Sequence, residues 1–223
     1  MAMDSLDQIK TRIESGIPGA KIEIIPNASP SQQSSLLIDN EHAREAAKFL
    51  RDDPALRLDF CSNVTGVDWL DRVVTKKVKV KKIVEGEEKE AEETQQEKIP
   101  GYFEAVCHLY SIKHKHGPII IRMRTKDRSA EAPLPSLTPI WRSAEFQERE
   151  IFDLYGIRFE GHPDLRRILM WDEFKDYPMR KDYREPDDYE YEPTPHDDVL
   201  EKAKQHYASR PQLDGAENIT AQT

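Results

Sequence analysis

Leu6, Ile9 and Ile13 recur at helical spacing behind Ser5, and Gln8 stands three residues on, a capping-box pattern closed by Gly16. Residues 21–25 and 35–39 are short apolar runs with strand character. Asn40 is placed to cap a second helix over 41–51, which Asp53-Pro54 ends because a residue before proline leaves the helical region. Residues 58–67 read as a strand, and 102–112 and 118–125 as two stronger strands around Gly117-Pro118. Thr138-Pro139 puts proline at the first helical position and predicts the main helix, running to Tyr155 and stopped by Gly156. Pro163 opens a short helix over 164–169, and 198–209 form a late amphipathic pattern. Strands and helices do not alternate regularly. The pattern therefore predicts an α+β domain over 1–183, a mixed sheet with helices packed on it, followed by an extended acidic arm over 184–223.

One stretch breaks the apolar pattern. Residues 76–98 hold seven Lys and seven Glu, the lysines first and the glutamates after. Val78 and Val80 alternate with lysines as on an edge strand, so a long hairpin or loop with mutually attracting halves is expected. The glutamates compete for the lysines, which speaks against nucleic-acid binding there.

Composition agrees with segments outside a core: 37% of residues are hydrophobic, 34% are charged, and the mean hydropathy is −0.77. The formal charge of −9 leaves no surplus of cations for a phosphate backbone. Residues 184–223 hold ten acidic and four basic residues, a net −6, which suits a solvated or partner-wrapping arm. Cys61 and Cys107 lie in strand-like apolar contexts and read as buried free thiols. No apolar run reaches the roughly 20 residues of a membrane span, and MAMDSLDQIK has neither a basic nor an apolar leader region, so a cytoplasmic location is expected.

The chemistry concentrates in 148–183. On a wheel at ~100° per residue, Trp141, Ala144, Ile151, Phe152 and Tyr155 share one face with Glu148 near its centre. A carboxylate buried there must be paired or hydrogen-bonded; Arg166, Arg167 and His162 are the nearby candidates. Arg149 stands four residues from both Glu145 and Asp153, which predicts a ladder of ion pairs. No nucleophile, second catalytic carboxylate, phosphate loop or Cys/His cluster accompanies them, so positioning is favoured over catalysis. His114 and His116 could form a metal pair, but no third or fourth ligand accompanies them.

The runs Glu148-Arg149-Glu150-Ile151-Phe152-Asp153-Leu154-Tyr155-Gly156-Ile157, Gly161-His162-Pro163-Asp164-Leu165-Arg166-Arg167-Ile168-Leu169 and Pro178-Met179-Arg180-Lys181-Asp182-Tyr183 closely resemble the signature of the C-type (30 kDa) subunit of the proton-pumping NADH:quinone oxidoreductase, respiratory complex I. Val64-Thr65-Gly66-Val67-Asp68-Trp69 also resembles that family. The chain departs at Phe146, where Trp is usual, at Tyr177, where Gly is common, and at Met179, which stands for Leu. The resemblance implies an α+β member of the peripheral arm, on the cytoplasmic side of a bacterial inner membrane, that supports electron transfer from NADH to quinone coupled to proton translocation. It implies packing against the D-type subunit near the quinone site, and contacts with other peripheral-arm subunits. It also implies no cofactor on this chain, with FMN and iron–sulfur clusters carried elsewhere in the complex. The motif residues expected to form internal pairs and interface contacts are Glu148, Arg149, Glu150, Asp153, Gly156, His162, Pro163, Arg166, Arg167, Pro178, Arg180, Lys181 and Asp182. The alternative is the homologous scaffold subunit of a membrane-bound hydrogenase or another complex I-like oxidoreductase.

Overall fold

The computed structural model describes residues 4–84, 87–129 and 133–184, with backbone alone for 76–95. The acidic arm beyond Arg184, with its amphipathic pattern at 198–209, lies outside the described residues. Helix α1 (Leu6–Gly16) starts at Ser5, whose hydroxyl accepts from Gln8 N–H while the Gln8 side chain accepts from Ser5 N–H. Strands β1 (Ile22–Ile25) and β2 (Ser35–Ile38) follow, then α2 (Ala43–Asp52). This second helix begins later than expected and is not capped by Asn40. Asp39 instead accepts from the His42 N–H and ring, and Asn40 donates to the Arg124 carbonyl at 2.9 Å. Strands β3 (Phe60–Trp69), β4 (Arg72–Val84), β5 (Glu87–Ile99), β6 (Tyr102–Ser111) and β7 (His116–Arg124) come next. Strand β8 (Leu134–Pro135), helix α3 (Ala144–Tyr155) and β9 (Phe159–Glu160) complete the described elements.

Five strands form one mixed sheet in the order β1-β2-β7-β6-β3, antiparallel except for the parallel β2–β7 pair. Alternation sorts its residues. Phe103, Ala105, Cys107 and Leu109 of β6 turn to one face; opposite the last three stand Met123, Ile121 and Ile119 of β7. All belong to a single core that also takes Ile9 and Ile13 from α1, Ala46, Ala47 and Leu50 from α2, and Ala144 and Ile151 from α3. The three helices therefore share one side of the sheet, the α+β arrangement expected. Both cysteines are buried free thiols there, and burial pushes the Cys61 thiol up to about 12. Among the described residues no helix is long and apolar enough to cross a membrane.

The Lys/Glu stretch is a two-stranded ribbon, β4 against β5, with Lys79 opposite Glu92 and Lys81 opposite Glu90. The turn between β6 and β7 falls before His116 rather than at Gly117-Pro118. His114 and His116 stack at 5.9 Å, and His114 Nε2 lies 3.0 Å from the Pro54 carbonyl.

Helix α3 lies along β3. Gly66 makes this possible: a Cβ there would sit 2.8 Å from the Tyr155 ring and 3.2 Å from Ile151. Ser143 donates to the Cys61 carbonyl at 2.7 Å, Trp141 Nε1 to the Leu58 carbonyl at 2.8 Å, and the Gln147 amide oxygen accepts from Val64 N–H. The helix begins at Ala144, not at Pro139, because residues 136–138 serve another purpose.

Candidate functional site

Glu148 is 1% exposed, as the helical wheel requires. Its partners are not the expected cations. One oxygen accepts from Leu137 N–H at 2.7 Å; the other accepts from the Ser136 and Thr138 hydroxyls at 2.6 and 3.1 Å. The 136–138 turn is thus wound around the carboxylate and cannot continue the helix. That turn is anchored by the parallel β8–β9 pair and by Arg44 Nε donating to the Ser136 carbonyl. Burial is the largest influence on Glu148 and pushes its carboxyl above the ordinary 4.5; the three donors oppose it. A raised folded-state value means that the stability Glu148 contributes is full below about 4.5 and is lost as pH rises from there through the folded value. Glu148→Gln is expected to flatten this decline, measured as urea-unfolding free energy against pH. An unchanged slope would refute the assignment.

Asp153 anchors the loop after the helix. It is fully buried. One oxygen accepts from Arg167 at 2.7 Å, the other from the successive N–H groups of Ile168, Leu169 and Met170 at 3.0, 2.6 and 2.8 Å. Arg149 does not form the expected ladder with Glu145 and Asp153. Its guanidinium turns to the same loop and donates to the Arg166 and Arg167 carbonyls at 3.1 and 3.0 Å. With these N–H and C=O groups taken by side chains, 164–169 forms a turn, irregular chain and a bend instead of the expected short helix. His162 closes the corner: its Nε2 donates to the Glu145 carbonyl and its Nδ1 accepts from Asp164 N–H, both at 3.0 Å, which sets the tautomer. Burial pushes the Asp153 carboxyl up, but the three N–H donors and Arg167 outweigh it, so it rests below the ordinary 3.8.

A third buried carboxylate holds the end of the segment. Asp68 points from β3 into the core side and forms a two-bond fork with Arg128, both contacts at 2.8 Å. Arg128 forms a second fork with Asp182, at 3.0 and 2.7 Å, and Asp68 also accepts from Lys181 N–H. Asp182 and Asp68 together hold Arg128 above its ordinary range. Arg180 donates to the Tyr155 carbonyl at 2.6 Å and lies over the Tyr177 and Phe103 rings at 4.4 and 4.8 Å. Gly156, with φ +75°, is the left-handed cap of α3, and a Cβ there would fall 2.6 Å from Arg180 and Tyr177.

The motif residues divide accordingly. Glu148, Arg149, Asp153, His162, Arg167, Arg180 and Asp182 make internal bonds, while the Arg166 side chain, among the described residues, reaches only its neighbour Asp164. Glu150 and Pro163 are exposed and Pro178 is half-buried. Lys181 uses its N–H on Asp68 and extends its side chain over the Trp69 ring at 5.5 Å. The charges divide: Glu148, Arg149 and Asp153 are buried, whereas Glu150, Arg166, Lys181 and Asp182 are exposed. Apolar side chains stand outward among the latter: Leu169 is 61% exposed and Met179 52%, with Ile168 and Trp171 beside them in sequence and also exposed. Sequence reasoning missed Arg128, Ser136 and Thr138. Asp68 carried a signal, since alternation puts it on the core side with Val64 and Gly66, where a carboxylate needs a cation. It also missed Glu104, buried and bonded to Trp69, Arg122 and Arg124. Among the described residues Asp39, Glu41 and His42 offer ligand atoms within 4.8 Å of one another, but Asp39 already accepts from Lys21 N–H and His42.

Every oxygen of Glu148, Asp153 and Asp68 accepts from a protein donor, so the arrangement positions a loop. A family model for the respiratory-chain NADH dehydrogenase 30 Kd subunit matches residues 36–189. The chain is 42% identical over 144 residues to the C 2 subunit of NADH-quinone oxidoreductase from Rhizobium meliloti, 64% of this chain and 62% of that protein. The match thus spans less than two thirds of that relative. It is 33% identical to the corresponding C subunit from Roseiflexus castenholzii over 82% of this chain and 85% of that one. In fold it is similar to a chain of the membrane-bound sulfane sulfur reductase, an archaeal respiratory membrane complex, at TM-score 0.51, 17% identity and 96% coverage of this chain. Together with the signature run from Glu148 to Tyr183, these matches establish that the chain belongs to the respiratory-chain NADH dehydrogenase 30 Kd subunit family.

Proposed function

We propose that this chain is a non-catalytic, cofactor-free scaffold in the peripheral arm of an NADH:quinone oxidoreductase. In this reading it docks through residues 164–183 onto the D-type subunit near the quinone site, and it meets the membrane only through the complex. FMN and the iron–sulfur clusters lie on other subunits. One observation carries the reading: a loop fixed from inside by Asp153, Arg149 and Asp68 holds Ile168, Leu169, Trp171 and Met179 out to solvent. Fixing a loop in advance lowers the ordering cost of binding, and outward apolar anchors are what an interface core requires.

Leu169→Glu tests this. The side chain is exposed, so the isolated chain is expected to unfold at an unchanged denaturant midpoint. A charge driven into the contact is expected to weaken capture by the D-type subunit at least about tenfold, since buried apolar anchors dominate such interfaces. Full recovery of the complex with this variant would end the docking assignment. Iron, flavin or NADH oxidation in the purified chain would end the scaffold assignment.

A further inference from the structure

The helices cover one face of the five-stranded sheet. On the other face Thr65, Val106 and Arg122 stand in a row across β3, β6 and β7, with Glu104 and Arg124 as the next opposed pair on β6 and β7. Val106 and Ile120 on this face are buried yet stand outside the helix-side core. Thr65 and Trp69 on this face are exposed.

Three features say what would cover it. Among the described residues only Glu104 pairs with Arg122 and Arg124, at 2.9–3.1 Å, leaving the trio with one surplus positive charge in a chain whose formal charge is −9. His108 Nδ1 and Arg122 Nε are buried from water with no hydrogen-bond partner among the described residues. Buried polar atoms almost always hydrogen-bond to protein or to ordered water, so each of these has a bond left to make. The third feature is apolar and aromatic. Arg124 lies 4.2 Å above the Tyr102 ring, which packs against Trp69. At the other end of the face Phe60, Tyr110 and Ile112 line an open groove of about 640 Å³. Arginine and aromatic residues are the types enriched at interface centres.

We propose that this open face seats an acidic amphipathic helix of a neighbouring subunit. Its apolar side lies in the groove of Phe60, Tyr110 and Ile112, and its carboxylates meet Arg122 and Arg124. From Glu104 to Tyr110 the strand runs about 20 Å, the length of roughly 13 helical residues. The surface lies on β3, β6 and β7, whereas the docking loop follows α3, and the two would make the chain a connector.

The test uses the assembled complex with p-benzoylphenylalanine in place of Thr65 and, separately, of Leu169. On irradiation the Thr65 probe is expected to join an Asp/Glu-rich segment of another subunit. No adduct from Thr65 while the Leu169 probe cross-links would overturn the proposal. So would an adduct to a second copy of this chain, or to a segment without acidic residues. Capture of an acidic segment from Thr65 with none from Leu169 would leave this surface standing and reject the docking loop. A charge pair adds a second readout. Thr65→Glu is expected to lower incorporation about tenfold at low salt, and Thr65→Lys to keep it, the difference shrinking as salt rises. Equal loss with both variants, or none with Glu, would count against an acidic occupant.

Discussion

Asp153→Ala is expected to destabilise the isolated chain by about 3–5 kcal/mol, the usual cost of removing one partner of a buried charge pair. The change strands more than Arg167. The N–H groups of Ile168, Leu169 and Met170 converge on one oxygen of the same carboxylate and lose it together. The loss is therefore both global and local. Urea unfolding at neutral pH should show the fall in free energy, and limited proteolysis should show new cleavage within 164–183, where Arg149 still holds only the Arg166 and Arg167 carbonyls. Asp153→Asn keeps one acceptor oxygen and is expected to lie between the alanine variant and the wild type. The pH dependence has a definite sign. The folded-state value lies below the ordinary 3.8. Stability from Asp153 is therefore present above about 3.8 and is lost as pH falls through the lower folded value. Glu148 acts in the opposite direction, so the two carboxylates separate in a titration of stability. Wild-type stability and an uncut loop in Asp153→Ala would show that this carboxylate does not organise the segment.

Arg128→Met carries the second largest effect, about 3 kcal/mol or more, because it leaves Asp68 charged and buried with, among the described residues, only the Lys181 N–H as partner. It also frees Asp182, so the end of the signature segment loses its tie to β3. The double variant Asp68→Asn, Arg128→Met removes the stranded charge and is expected to recover a substantial part of the loss. A double-mutant cycle in urea reads this as a coupling energy. Additive single effects would mean that the two forks do not act as one unit. Recovery of stability without recovery of incorporation into the complex would show that the Asp182 fork positions the docking loop as well as stabilising the fold.

Much of the fold was legible because it rests on local rules. The Ser5–Gln8 capping box, the Gly156 stop and the strand alternation in 102–125 each depend on residues a few positions apart. The α+β class followed from their order, and Glu148 on the buried face of α3 followed from periodicity alone. Its partners did not. Arg166, Arg167 and His162 were nearest in sequence on the charged side, but the carboxylate is satisfied by two hydroxyls and an N–H from a turn that precedes the helix. Arg149 misled for a related reason. Spacing of four residues is a real signal on a solvated helix, where such pairs contribute ~0.2–0.5 kcal/mol. A neighbouring loop with bare carbonyls offers a buried guanidinium stronger bonds. Arg128, sixty residues from Asp68, left no local mark at all.

The sequence by itself determined the family, through a long run of charged and aromatic residues from Glu148 to Tyr183, and the elements, through period and punctuation. Only the tertiary structure decided which of these charges point inward, with Asp153 and Arg149 binding loop backbone and Asp68 and Asp182 sharing Arg128. It alone decided that Leu169 and Met179 face out, and that one side of the sheet carries no helix among the described residues. The physical reason is that hydrophobic period reports burial, whereas a buried charge is satisfied by whichever donors the completed fold brings within about 3 Å.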